Sequence, residues 1–183
     1  ANRSLREGLM DYDRRHGYRG PVARNPEATP DQWDALLKPY RQMGGLYPAI
    51  VTAVDTDKVL IQLRGGALGE IAWEDMRWAR KHINTNSLGP NPRTPAEVLS
   101  VGDIIRVMPT EEINYRLAQI PAAQSALVAV SPDDGSIQAL VGGFAFEQSK
   151  YNRVTQARRQ PGSSFKPFLY SAALDHGYTP ASL

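Results

Sequence analysis

The 183-residue sequence contains no cysteine. That excludes disulfide cross-links, thiolate zinc sites and thiol nucleophiles, while suiting any compartment. No apolar run approaches the ~18 residues of a membrane-crossing helix. The charged stretch Ala1–Arg24 lacks the apolar centre of a secretory signal. The three histidines, His16, His82 and His176, have no second ligand at metal spacing, so no metal site is expected. Neither sign of charge dominates: 21 Lys and Arg face 19 Asp and Glu, too even a balance to argue for nucleic acid. There is no glycine-rich phosphate loop, internal repeat or low-complexity tract. The neighbouring carboxylates Glu111-Glu112 and Asp133-Asp134 face apart on any regular element, which argues against paired acid–base work. At 42% hydrophobic and 22% charged, the composition is globular and fits one or two small domains.

The most informative stretch is Arg158-Arg159-Gln160-Pro161-Gly162-Ser163-Ser164-Phe165-Lys166-Pro167. Proline is tolerated only in the first helical turn, so Pro167 prevents a helix from starting much before Ser163. Phe165, Phe168, Leu169 and Ala172 continue at i, i+3, i+4 and i+7, and Gly177 is a natural stop. Tyr170, Ala173 and Leu174 fill much of the remaining circumference, which predicts a helix nearly enclosed by protein. Ser163 and Lys166 then share one face, one turn apart, as a nucleophile and its base require. An ordinary lysine is charged and useless as a base; desolvation and a helix N-terminus both favour its neutral form. The nucleophile's own backbone N–H points toward a developing oxyanion. A serine three residues before a lysine is a weak motif by itself, since Ser163 can equally be an N-cap and Lys166 a solvated charge.

The context resembles class A penicillin-binding proteins, most closely those of the 1A type. The resemblance rests on Gln119-Ile120-Pro121, on Ala126–Val130, on the run from Pro132 through Gly143, on Tyr151-Asn152-Arg153 and on Ala157–Leu174. Tyr12–Pro21 looks like the segment leaving such an enzyme's glycosyltransferase domain. The resemblance implies a serine D,D-transpeptidase that cross-links peptidoglycan stem peptides, with Ser163 as acylated nucleophile and Lys166 as its base. It implies β-lactam antibiotics as acylating ligands, no cofactor for transpeptidation, and the periplasmic face of the bacterial inner membrane, reached through an N-terminal anchor. A homodimer is compatible with it. Two other readings share some of these features: a penicillin-recognising carboxypeptidase or β-lactamase, and a binding module without catalysis.

The departures from the family pattern are specific. No serine is followed two positions later by asparagine, and there is no Lys-Thr-Gly. The sequence opens on Ala1 and closes on Leu183 shortly after the helix, so it reads as a piece of a larger enzyme. The remaining C-terminal transpeptidase segment is its expected partner, because two strands and one helix cannot cover their own apolar surface.

The fold class expected is mixed α/β (α+β). Residues 1–46 read as linker and helix, 47–117 as an OB-like β domain, and 118–183 as an incomplete transpeptidase portion. Thr29-Pro30-Asp31-Gln32 is a capping box, opening a helix to about Met43 that presents Trp33, Leu36, Leu37 and Tyr40 on one side. Strands are predicted at Pro48–Val54, Lys58–Arg64, Leu68–Trp73, Asp103–Met108 and Asn114–Ile120, with a short helix opened by Thr94-Pro95-Ala96-Glu97. Five strands with a helix between the third and fourth suggest an OB-like barrel. Ala126–Val130 and Ser136–Val141 flank the turn Pro132-Asp133-Asp134-Gly135 and form a hairpin. Arg77, Arg80, Lys81 and His82 beside Trp73 and Trp78 could form a nucleic-acid surface. The tryptophans are instead expected to close the barrel, with the charges solvated or meeting glycan strands or a partner protein.

Overall fold

The computed structural model describes residues 1–111 and 113–182. The Glu111-Glu112 carboxylate pair and the end of the 118–183 portion thus fall, at Glu112 and Leu183, outside the described residues. Strands in chain order are β1 (Ala23–Arg24), β2 (Tyr47–Val54), β3 (Lys58–Leu63), β4 (Leu68–Ala72), β5 (His82–Asn84), β6 (Ser87–Leu88), β7 (Asp103–Glu111), β8 (Asn114–Ala118), β9 (Leu127–Val130) and β10 (Ile137–Val141). The α-helices are α1 (Asn2–Arg15), α2 (Trp33–Leu37) and α3 (Lys166–Asp175).

The main sheet runs β1-β7-β2-β3-β4-β8, and β7 also pairs with β8, which closes strands β2, β3, β4, β8 and β7 into a barrel. All these pairings are antiparallel except β4 with β8, which meet in parallel at Glu70 and Asn114. Closure leaves no free edge among the five. Alternation decides which side chains fill the barrel: Val59, Ile61 and Leu63 of β3 point in, with Ala49, Val51, Ile71, Ile105, Val107 and Leu117. Trp73 and Trp78 pack against this core from its rim, as the sequence suggested. The short helix predicted between the third and fourth barrel strands is a 3₁₀ helix of one turn, Pro95–Glu97, with Thr94 at its N-cap position. Glu97 Oε2 accepts from the Arg93 N–H (3.0 Å) rather than from Thr94, so the capping box does not form.

α2 is shorter than predicted. Gln32 Oε1 does accept from the Thr29 N–H (3.3 Å), yet the helix ends at Leu37. Pro39 explains the end: Lys38 still keeps helical backbone angles, but Pro39 supplies no N–H to carry the hydrogen-bond ladder on. The expected apolar face survives: Leu37 packs on Ile50 and Ile104, outside the barrel, with Trp33, Leu36 and Tyr40 alongside.

α1 is a packed element. Leu5, Leu9 and Met10, one side of the helix, are buried with Leu46, Ala118, Val141, Phe144 and Ala145. The Arg6 Nε–H donates to the Phe144 carbonyl (2.9 Å) on another part of the same junction. This second core therefore joins α1, the barrel's flank and the β9–β10 hairpin. Gly44 lies at its edge with φ of 60°, and the Phe144 ring occupies the space a Cβ there would need. β9 and β10 pair antiparallel as predicted, around the turn at residues 131–136.

Candidate active site

A 3₁₀ turn, Gly162–Phe165, leads directly into α3. Gly162 takes a φ of 53°, which gives the chain the sharp approach that a Cβ-bearing residue resists. The Lys166 N–H donates to the Ser163 carbonyl, closing the turn. Residues i and i+3 eclipse in such a turn, so Ser163 and Lys166 lie on the same side, one above the other. Pro167 sits in the first turn of α3, where its missing N–H costs nothing. The register predicted for these two residues is thus observed.

The enclosure predicted for the helix is not. Ser163 and Lys166 are exposed, as are Phe165, Phe168, Leu169, Tyr170 and Leu174, with Phe168 at 69%. The Phe165 and Phe168 rings lie tilted to each other, their centroids 5.9 Å apart. The physical reason is the shortage of cover: Val128, Val130 and Ile137 of the preceding hairpin are also exposed, so the described residues supply no apolar layer for α3.

The segment between hairpin and turn is tied to the strand end. The Arg153 N–H and its Nη1 donate to the Gly142 carbonyl (3.1 and 3.4 Å), and Nη1 also reaches the Tyr151 carbonyl (3.1 Å). Asn152 Oδ1 accepts from the Val154 N–H (3.0 Å). Two motifs singled out from the sequence, Gly142-Gly143 and Tyr151-Asn152-Arg153, therefore meet and fix where the chain departs toward Ser163.

Sequence reasoning missed a second constellation. Asp13, at 3% exposure, accepts from Arg19 Nη1 and Nη2 (2.8 and 2.9 Å) and from the Ala122 N–H (3.0 Å). Arg19 Nη2 also donates to the Ile120 carbonyl (2.7 Å). Gln119 completes the link by accepting from the Arg19 N–H (3.0 Å) and donating to the Gly17 carbonyl (2.8 Å). The only signal in sequence was that both stretches, Tyr12–Pro21 and Gln119-Ile120-Pro121, stood out as family-like. Among the described residues, no group of three or more His, Cys, Asp or Glu side chains is placed to hold a metal ion.

Residues 18–123 match the family described as penicillin-binding protein OB-like domain, and residues 125–182 match penicillin binding protein transpeptidase domain. The chain belongs to the penicillin-binding protein family. Among its relatives, Penicillin-binding protein 1A of Pseudomonas aeruginosa is 56% identical over 183 residues, 100% of this chain and 22% of that protein. The Escherichia coli protein of the same name is 42% identical over 188 residues, again covering 100% of this chain and 22% of its own length. A crystal structure of Penicillin-Binding Protein 1A from Haemophilus influenzae superposes with a TM-score of 0.73 at 38% identity, covering 97% of this chain and 25% of that one. The chain thus spans about a fifth of the length of the curated relatives it matches. No helix among the described residues is long and apolar enough to cross a membrane.

Proposed function

We propose that this chain is part of a peptidoglycan synthase, and that Ser163 is the nucleophile of its D,D-transpeptidase. The observation that carries the reading is the Ser163–Lys166 pair, on one face at the head of α3, inside the segment matching the transpeptidase family. Ser163 Oγ attacks the carbonyl carbon of the penultimate D-alanine while Lys166 Nζ takes the hydroxyl proton. Terminal D-alanine leaves with a proton, and the acyl group passes from Ser163 to an amine on a neighbouring stem peptide. A β-lactam opens on the same oxygen and stays. No cofactor enters these steps.

The pairing works as a base only when Lys166 is desolvated, and in this chain it is exposed. The reading therefore includes a requirement for the C-terminal transpeptidase segment, carrying Ser-x-Asn and Lys-Thr-Gly, to cover α3. The 183 residues alone are inert on this view. The intact enzyme works at the periplasmic face of the inner membrane, held by an N-terminal anchor, and also carries a glycosyltransferase domain.

Fluorescent penicillin tests the assignment. Intact enzyme labels, Ser163→Ala does not, and the 183-residue chain labels only when the C-terminal segment is added. Labelling that persists in Ser163→Ala removes Ser163 from its role, and labelling of the chain alone removes the requirement for cover. Release of D-alanine with cross-linked product, rather than hydrolysis only, separates a transpeptidase from a carboxypeptidase or β-lactamase.

A further inference from the structure

Arg106 lies on the outer side of β7 and is 5% exposed, a fully formed cation withdrawn from water. Its Nη1 donates to the Arg41 carbonyl, but its Nε–H is buried with no acceptor. Among the described residues, no carboxylate comes within ion-pair distance of it. Burial pushes the guanidinium below the usual arginine range, the direction expected of a desolvated, unpaired charge. Buried charges are otherwise paired, because an unpaired one retains the full penalty of leaving water.

The same side chain lines a cavity of about 160 Å³ between the barrel flank and the 18–22 segment. Arg19, Gly20, Tyr18 and Gln119 share its wall. The polar groups around it are unevenly committed. Arg19 spends its fork on Asp13 and Ile120, and Gln119 spends both ends of its amide on Arg19 and Gly17. Only Arg106 enters the wall as a charge without a counter-charge. The volume holds about five waters, or one oxyanion group with a water beside it, taking ~30 Å³ for each water.

We propose that this cavity is an anion site, in which Arg106 binds one small oxyanion group, a phosphate or a carboxylate. Nη1 is committed to the Arg41 carbonyl and Nε is sealed from the cavity, so Nη2, held in place by the planar fork, is the charged donor left to meet such a group. The group can belong to a phosphate ester or to a carboxylate-bearing peptide or sugar; the chemistry at Arg106 is the same. This inference is independent of the role given to Ser163.

The test is a titration of the ¹⁵N-labelled 183-residue chain with sodium phosphate and, separately, sodium acetate, at fixed pH and ionic strength against chloride. Saturable shifts of the Arg106 Nε–H and of the Gly20 and Gln119 amides are expected, absent in Arg106→Met. Saturation by phosphate alone assigns the site to phosphate esters, and saturation by acetate alone assigns it to carboxylates. Saturation by both supports a general oxyanion site. If neither anion gives saturable shifts, or if Arg106→Met responds as the parent does, the proposal is overturned. Should Arg106→Met fail to fold, the parent titration decides by the same criterion, with Arg106→Lys, which keeps the charge but loses the fork, expected to bind at least tenfold more weakly.

Discussion

Arg19 and Asp13 face each other through two parallel N–H···O bonds of 2.8 and 2.9 Å, with the carboxylate almost wholly buried and the guanidinium about a third exposed. They lie six positions apart, yet the pair also holds Ile120 and Ala122, over a hundred positions away. The end of α1 and the segment leaving the barrel after β8 are thereby one structural unit. Asp13→Ala strands the Ala122 N–H and half the Arg19 fork, so it should cost about 2–4 kcal/mol in urea unfolding. Arg19→Lys keeps the charge but not the fork and should lose a smaller share. A cost below about 0.5 kcal/mol for Asp13→Ala, the size of an ordinary surface change, would show that the unit is held by its apolar contacts alone.

Gly44 and Phe144 make a second testable pair. Alanine at 44 must adopt φ near 60° and displace the Phe144 ring. The left-handed conformation costs about 1–2 kcal/mol and the overpacking about 1–3. Gly44→Ala should therefore lower the melting temperature clearly. Combining it with Phe144→Leu should cost less than the sum of the two, because the smaller side chain gives way. Strict additivity would show that the ring is not what constrains the site.

Tyr18 links the fold to alkaline pH. Burial, reinforced by the Asp103 carboxylate, pushes its hydroxyl well above the ordinary tyrosine value. Its folded value is raised, so its contribution is intact below the unfolded value near ~10 and is lost as pH rises beyond it. Urea midpoints should fall more steeply above about pH 10 in the parent than in Tyr18→Phe. Equal slopes would remove Tyr18 as the cause.

Asp134 sits in the β9–β10 turn, where the Ser136 N–H donates to Oδ1 at 3.0 Å. That backbone hydrogen bond, with the Ser136 and Ser131 hydroxyls, draws the carboxyl below its usual range. A depressed folded value means the stabilisation is present above the unfolded value near ~3.9 and disappears as pH falls through the folded one. The Ser136 amide proton should titrate with an inflection below ~3.9, and Asp134→Ala should abolish that inflection. An inflection at or above ~3.9 would contradict the bond's role.

The parts of this fold that were legible in the sequence are those written in local pattern. Period-two alternation over Val59, Ile61 and Leu63 located β3, Pro132–Gly135 located the hairpin turn, and Pro167 located the head of α3. What escaped depends on distant partners. The barrel was read from the number and order of its strands, but the parallel contact of β4 with β8 follows from pairing that no short window encodes. α1 carries its charges on one side and Leu5, Leu9 and Met10 on the other, so its composition alone reads as linker. Pro39 inside an otherwise periodic stretch was sufficient to end α2, and that signal was present but overridden by the apolar spacing. At the candidate site, the Ser163–Lys166 register followed from the sequence, while burial of α3 did not, because burial is a property of whatever packs over it.

The hydrogen bond from Gln119 to Gly17 brings together two points of the chain 102 positions apart. Everything between them, the barrel included, leaves and returns at one spot. A module attached in this way is a side branch on a trunk formed by α1 and the strands beyond residue 125, and its Leu46 and Ala118 share the core in which those two parts meet. Length can be added or removed at the barrel's outer loops without moving the point where the chain rejoins the trunk, provided Leu46 and Ala118 stay in place.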